Sequence, residues 1–231
     1  MRRHCCGSNN LKEVLTLTKD NKKIIISSIL CLLPIIAGLL LWNRLPDKIP
    51  IHWGMDNTVN RYSSKSFGII GVPLICCGSN LLAWFSIKLD PKNRNANTKV
   101  RSLMLWLLPA ITIVTQLTIL AYALGYQVNV PKPIFILIGI MFIFIGNYLP
   151  KTQPNYTIGL KLPWTLHSDY NWQKTHRLAG ILWIIGGLLI VVGAFFLSTE
   201  ASPVLTWGFF GILSVMVIVP IIYSLILSRS E

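Results

Sequence analysis

The sequence predicts an all-α membrane protein of six transmembrane helices, with the N-terminus and the C-terminus both cytoplasmic. Three observations carry that expectation. More than half of the 231 residues are hydrophobic and only 13% are charged, about half the charged share of a soluble domain. Six stretches lack any charged side chain and are long enough to cross about 30 Å of hydrocarbon at 1.5 Å rise per residue. Lys and Arg, finally, are divided unequally between the loops that join those stretches.

The first span covers residues 24–42, after a basic tail of residues 1–23. It begins like a signal peptide but ends in Trp42-Asn43-Arg44 without an Ala-x-Ala cleavage site, so it is expected to stay attached as an anchor. The second, third, fifth and sixth spans cover residues 67–87, 102–126, 178–197 and 203–227. The fourth, 133–149, is the shortest; Pro131 and Pro133 bracket its start, and a tight turn makes spans three and four a helical hairpin. Pro34, Pro73, Pro109 and Pro220 fall within four of the spans, where bends are tolerated because neighbouring groups re-satisfy the freed backbone. The chain thus divides into the tail, an N-terminal two-helix unit (24–101) with an extracellular loop at 43–66, and a four-helix unit (102–231) with a cytoplasmic loop at 150–177.

Orientation follows from the retention of Lys and Arg on the cytoplasmic side of short loops. Sixteen fall on the face of the two termini and five on the other: Arg44, Lys48, Arg61, Lys65 and Lys132. Trp42, Trp84, Trp106, Trp172 and Trp207 lie near span ends, as expected of rings at headgroup depth. The net charge of +13 does not imply direct nucleic-acid binding, because the cations alternate with long apolar runs and form no basic stripe. Cys5, Cys6, Cys31, Cys76 and Cys77 have neither zinc-ligand spacing nor a disulfide pattern. Cys5 and Cys6 read as a reduced pair, acylation being the alternative.

Ionisable side chains inside a bilayer usually mark ion or proton pathways, and none of the six spans holds one. Asn80, Gln116 and Asn147 are expected to bond between helices. Gly180, Gly187 and Ala194 recur every seven residues, a stripe along which a neighbouring backbone can approach closely.

The chemistry is therefore concentrated in the loops. In the first, Pro46, Pro50, Gly54 and Asn57 specify an ordered turn, with His52 and Trp53 folded back on the headgroup surface. His52 is expected to be hydrogen-bonded within the loop, since Asp47 and Asp56 are too few companions for a metal site. The second carries Gly146, Asn147, Pro150, Lys151, Asn155, Gly159, Lys161, Pro163, Trp164, Thr165, Ser168, Trp172, His176 and Arg177. Loops this long are usually functional or disordered, and the turn-specifying, aromatic content argues for order. Ser168 reads as an N-cap with Asp169 in the first turn of a helix running into span five. Asp169, Trp172 and His176 share a face of that helix, a pattern that serves a packed buttress as well as an acid-base pair. No nucleophile elbow, phosphate loop, HExxH or cofactor motif accompanies them.

At these loops the sequence resembles the SdpI-type immunity proteins, bacterial membrane proteins that protect a cell from its own secreted peptide toxin. The resemblance rests on Gly146-Asn147, Pro150-Lys151, Asn155, Gly159, Pro163-Trp164-Thr165-Leu166, Ser168, Trp172, His176-Arg177 and Gly180. The first loop resembles the N-terminal domain of unknown function often fused to that family, through Leu45-Pro46, Ile49-Pro50, His52-Trp53 and Ser64-Lys65. Lys161 stands where the family usually has Arg, Leu162 where it has a small polar residue, Asn57 where Gly is usual and Asn60 where Asp is usual. Asn57 tolerates the left-handed conformation, so the turn survives.

The resemblance implies a non-enzymatic immunity and sensing protein of the bacterial plasma membrane. Its expected partners are the lipid bilayer, an amphipathic peptide toxin and a small helix-turn-helix repressor held at the cytoplasmic face; no cofactor or metal is implied. Pro46, Pro50, His52, Trp53 and Lys65 are then the toxin-facing residues. Gly146, Asn147, Asn155, Gly159, Lys161, Pro163, Trp164, Thr165, Trp172, His176 and Arg177 form the cytoplasmic signature. A small permease or flippase is the alternative, motivated by the proline-interrupted spans and cationic inner face. A membrane enzyme using Asp169, His176 and Arg177 is a third.

Overall fold

The computed structural model describes residues 6–54, 56–90, 98–196 and 203–230. Side chains are described from residue 21 onward within those ranges, excluding 98 and 203–206. Residues 1–5, Cys5 among them, and the side chains of residues 6–20, Cys6 included, therefore lie outside the described residues and side chains, as do residues 91–97 and the link at 197–202.

Among the described residues, six helices are long and apolar enough to cross a membrane, as the sequence predicts. They are α1 (Cys6–Leu40), α2 (Val72–Leu89), α3 (Thr98–Ala123), α4 (Pro131–Tyr148), α6 (Asp169–Phe195) and α7 (Pro203–Ser230), with a short α5 at Pro163–His167. Ile25, Ile29, Leu33, Ile36, Leu82, Phe85, Ile181, Ile185, Leu188, Val192, Phe210, Ile218 and Ile222 point outward. In water such a surface would be an aggregation hazard; in lipid it is the face that meets acyl chains.

α1 begins at Cys6, well before the expected start at 24. Leu11, Val14 and Leu15 repeat at helical spacing, and charged residues do not break a helix, so the turns continue into the tail. The first loop adds strand to the expected all-helical fold. β1 (Lys48–Trp53) and β2 (Val59–Ser64) pair antiparallel, Lys48 opposite Ser64 and Trp53 opposite Val59. The ladder slips around His52, which pairs with Arg61. Pro50 has no N–H to give to a ladder, which is why such a strand stays at an edge or bulges.

α1, α2 and α3 pack together, and α4, α6 and α7 form a second group joined to the first through α3 and α4. Among the described residues α4 and α6 make the most extensive helix–helix contact, and it depends on glycine. A Cβ on Gly146 would lie 2.7 Å from the Gly180 carbonyl oxygen, and one on Gly180 the same distance from that of Gly146. Gly139 and Gly187 repeat the arrangement one heptad away, so the stripe expected on α6 meets a matching stripe on α4.

Among the expected helix-bonding side chains, Asn80 Nδ2 donates to Ser27 Oγ at 2.9 Å, joining α2 to α1. Gln116 Nε2 donates to the Gly68 carbonyl at 2.9 Å. Gly68 lies in a π-helical turn, Phe67–Gly71, that leads into α2. There Val72 N–H bonds the Phe67 carbonyl, and the same register would give Gly68 to residue 73. That residue is Pro, without an N–H, and the Gln116 amide supplies the donor in its place. Asn147, by contrast, is exposed at the end of α4 and, among the described residues, makes no hydrogen bond to another helix. An amide exposed at a helix end can be solvated and needs no partner helix.

Candidate functional site

The hairpin is seated on the ends of α1, α2 and α3. Leu45 and Ile49 join Ile69, Ile119 and Leu120 in a buried cluster. Ile49 is fully buried because Gly68 beneath it has no side chain; a Cβ there would come within 2.8 Å of Ile49. Lys65 closes the hairpin. Its backbone N–H donates to the Asp47 carbonyl at 2.9 Å. Its ammonium reaches the Asp47 carboxylate at 3.3 Å and the Trp42 carbonyl at 3.3 Å, and lies over the Trp42 ring. Asn57, at φ +62°, fixes the turn to the α3–α4 link: Nδ2 donates to the Val128 carbonyl at 3.1 Å and Oδ1 accepts from Val130 N–H at 2.9 Å. Asp56 accepts from the Thr58 hydroxyl at 2.7 Å and amide at 3.1 Å. Those bonds hold its carboxyl below the ordinary carboxylate value.

Of the hairpin residues singled out in the sequence, Pro46 and His52 are exposed, Pro50 is buried in β1, and Trp53 packs edge-on against Tyr122 at 5.5 Å. Among the described residues the expected hydrogen bond of His52 within the loop is not found, and the imidazole is exposed. The bulged strand turns its imidazole outward, and Asp47 and Asp56 are engaged by Lys65 and Thr58 instead.

The long loop, 149–168, is ordered around two aromatic rings of α6. At 27 residues α6 is about 40 Å long, longer than the hydrocarbon core, and its polar first turns carry the loop. Ser168 Oγ caps it by accepting from Asn171 N–H at 3.0 Å, as expected. Trp172 and His176 are both fully buried and stack at 3.9 Å between centroids. Trp172 was expected in the headgroup belt; the loop folds over it instead, and its indole N–H donates to the Thr152 carbonyl at 2.9 Å.

His176 spends both ring nitrogens on backbone. Nδ1 lies 2.8 Å from the Trp172 carbonyl, which only an N–H can satisfy, and Nε2 accepts from Leu160 N–H at 3.0 Å. The ring is therefore neutral with its proton on Nδ1. Gly159, at φ +114°, passes over that ring where a Cβ would overlap Nε2. Asn155 Oδ1 accepts from the amides of Thr157 and Ile158, at 2.9 and 2.5 Å. Thr165 Oγ1 accepts from Leu162 N–H at 3.0 Å and donates to the Leu160 carbonyl at 2.8 Å.

The structure thus brings Asn155, Gly159, Thr165, Trp172 and His176 into one buried clamp. Trp164 is drawn to α7, where its indole N–H donates to Ser224 Oγ at 3.0 Å. Gly146 lies in the α4–α6 contact. Asn147, Lys161, Pro163 and Arg177 are exposed and outside the clamp. So is Asp169, which separates it from His176: Trp172 and His176 form the packed buttress, and the alternative acid-base pair lacks its acid.

Two participants were not singled out from sequence. Asp90, at the end of α2, accepts from Tyr156 N–H at 2.8 Å and the Thr157 hydroxyl at 2.7 Å. Asn171 donates to the Ser224 carbonyl at 2.8 Å and accepts from the Thr175 hydroxyl at 3.0 Å. Asp90 is one of eight acidic residues and stands at a span end, which marks it out in the sequence without indicating its partners. Among the described residues no three of His, Cys, Asp and Glu cluster as metal ligands.

The model of the SdpI/YfhL protein family matches residues 151–224, from the turn before the clamp to the Ser224 that Trp164 and Asn171 bond. A domain of unknown function, DUF1648, matches residues 29–77, from α1 through the hairpin into α2. Over 176 residues the chain is 33% identical to the immunity protein SdpI of Bacillus subtilis (strain 168), covering 76% of this chain and 83% of that protein. The chain belongs to the SdpI family. It is accordingly a multi-pass bacterial membrane protein, and both parts of the SdpI-like pattern, the hairpin and the clamped loop, are present in one chain. No solved structure matches it.

Proposed function

We propose that this protein is a non-enzymatic immunity protein that protects the bacterial membrane against a secreted amphipathic peptide toxin, with the hairpin outside and the clamped loop in the cytoplasm. The observation that carries the reading is the likeness to an immunity protein across 83% of that relative's length. Charge supports the orientation: the hairpin side has five of the 21 Lys and Arg. A non-catalytic role is supported by His176, whose ring nitrogens are both committed to backbone groups, and by the exposure of Asp169 away from it.

In this reading the toxin meets Pro46, His52, Trp53 and the rim of the hairpin, while Lys65 and Pro50 hold the hairpin in place. α2 connects the two faces. It leaves the hairpin through the π turn and ends at Asp90, which is bonded to the long loop. Toxin binding that favours one setting of α2 would change the presentation of Asn147, Lys161, Pro163 and Arg177 to a cytoplasmic partner, a small helix-turn-helix repressor. Such coupling requires the toxin to bind the two settings with different affinity.

Expression in a toxin-sensitive strain, followed by challenge with culture supernatants of related bacteria and a panel of amphipathic peptides, tests immunity. Survival should rise for at least one; unchanged survival across the panel overturns the proposal. Reporter fusions after Glu231 and within residues 43–66 test the orientation. Pull-down of a helix-turn-helix protein, lost in Lys161→Glu, tests the sensing arm.

A further inference from the structure

Beneath the hairpin lies a partly open groove of about 430 Å³, within the size range of ligand pockets. Its floor is Ile111, Thr115 and Ile119, one stripe of α3 at spacings of four. Val72 and Cys76 of α2 form one wall and Ile134 and Phe135 of α4 the other, with His52 and Trp53 of β1 as the roof. The floor stripe spans eight residues of helix, about 12 Å, most of the depth of one leaflet of a roughly 30 Å hydrocarbon core. The groove therefore runs along the bilayer normal, apolar along its length and closed at the headgroup end by a folded polar element.

Two features of the roof indicate what the groove accepts. Trp53 Nε1 is buried and has no hydrogen-bond partner, so the roof offers an unused donor. The loops at this end are cationic: with Lys65 paired to Asp47, Arg44, Lys48, Arg61 and Lys132 stand against Asp56, and Arg61 sits across the ladder from His52. A cationic peptide would meet repulsion there. An anionic headgroup meets attraction of about 1 kcal/mol per near-surface cation.

We propose that this groove is a binding site for an anionic phospholipid, one acyl chain lying along the α3 stripe between α2 and α4. The ester region accepts from Trp53 Nε1 and the phosphate faces Arg61 and its neighbours. The hairpin is then the lid of a lipid site, and its position depends on the lipid beneath it. The inference shares His52 and Trp53 with the toxin-facing rim but does not rest on the immunity reading, since it concerns a resident lipid of the leaflet at the hairpin end, read out without any toxin.

Native mass spectrometry of the full chain released from nanodiscs of mixed phosphatidylglycerol and phosphatidylcholine tests it. One phosphatidylglycerol per chain should be retained in preference to phosphatidylcholine. Thr115→Phe and Cys76→Phe, which fill the groove, should abolish retention of either lipid while circular dichroism stays unchanged. Arg61→Gln, on the exposed strand and without effect on packing, should lower the preference for phosphatidylglycerol by roughly fivefold and leave retention of a lipid intact. Equal retention of the two lipids by the unmodified chain would overturn the anionic assignment. Retention unaltered in folded Thr115→Phe and Cys76→Phe would place the lipid elsewhere and overturn the site.

Discussion

The imidazole of His176 lies flat against the indole of Trp172, their centroids 3.9 Å apart, and both rings are sealed from solvent by the backbone at Gly159 and Leu160. This stack, one turn of α6 long, is the surface on which the long loop is folded. Gly159 is the position it tolerates least. Its φ of +114° disfavours any L side chain, and a Cβ would overlap His176 Nε2. Gly159→Ala should cost about 1–3 kcal/mol in backbone strain and displace the Leu160 amide from the ring. Limited proteolysis should cut the loop at 153–162 in this variant and leave the hairpin resistant. His176→Phe, which keeps the stack but lacks the acceptor, should open the loop to a smaller extent.

The reciprocal glycines of α4 and α6 make a second prediction. With Gly146 against Gly180 and Gly139 against Gly187, neither helix has room for a branched side chain without a shift of the other. Gly180→Val should destabilise the chain by about 1–3 kcal/mol through overpacking, read as a lower unfolding midpoint in detergent. Gly193, where a Cβ meets nothing within 4 Å, is the control; Gly193→Ala should be near neutral. Gly146→Ala and Gly180→Ala touch the same contact, so their effects should not add.

How far each part could be foreseen depended on whether its cause was local. The spans were legible because a run of apolar residues is long enough or it is not. The glycine stripe of α6 was visible as a heptad, and the Ser168 cap as a residue type before a helical run. The β-hairpin was missed because it is seated through Ile49, whose burial depends on Gly68, nineteen residues along the chain. The fate of Trp172 was hidden for the same kind of reason: a Trp at a span end is at a headgroup or under a loop according to whether the loop supplies an acceptor. Here Thr152 does. Asp90 and Asn171 are read only from the fold, because their partners lie 66 and 53 residues away.

The turn of the hairpin should respond to acid and to little else. The Thr58 hydroxyl and amide hold the Asp56 carboxyl below its ordinary value of 3.8. A group whose folded value is depressed contributes stability above its unfolded value and loses it as pH falls through the folded one. The turn should therefore be unchanged from pH 8 down to about 5 and loosen only below about 4. The Thr58 amide proton shift, followed by NMR, should titrate in that range together with susceptibility of the turn to protease. Asp56→Asn should remove the titration, and a transition centred near neutral pH would assign control to another group.

The carbonyl of Gly68 allows the most specific prediction, because its missing donor can be restored. In the π turn the backbone partner of Gly68 would be residue 73, and Pro73 has no N–H to give; Gln116 Nε2 donates to that oxygen from α3 at 2.9 Å. Gln116→Leu keeps the packing volume and leaves the buried carbonyl unpaired, at a cost of about 1–3 kcal/mol. Pro73→Ala returns an N–H at the position the π register calls for. The double variant Pro73→Ala/Gln116→Leu should then be more stable than the sum of the single effects, by about 1 kcal/mol. Additive losses in a detergent-unfolding cycle would mean that the carbonyl finds another donor. If Gln116→Leu alone were neutral, the amide would be a consequence of helix contact with no part in holding α2 to α3.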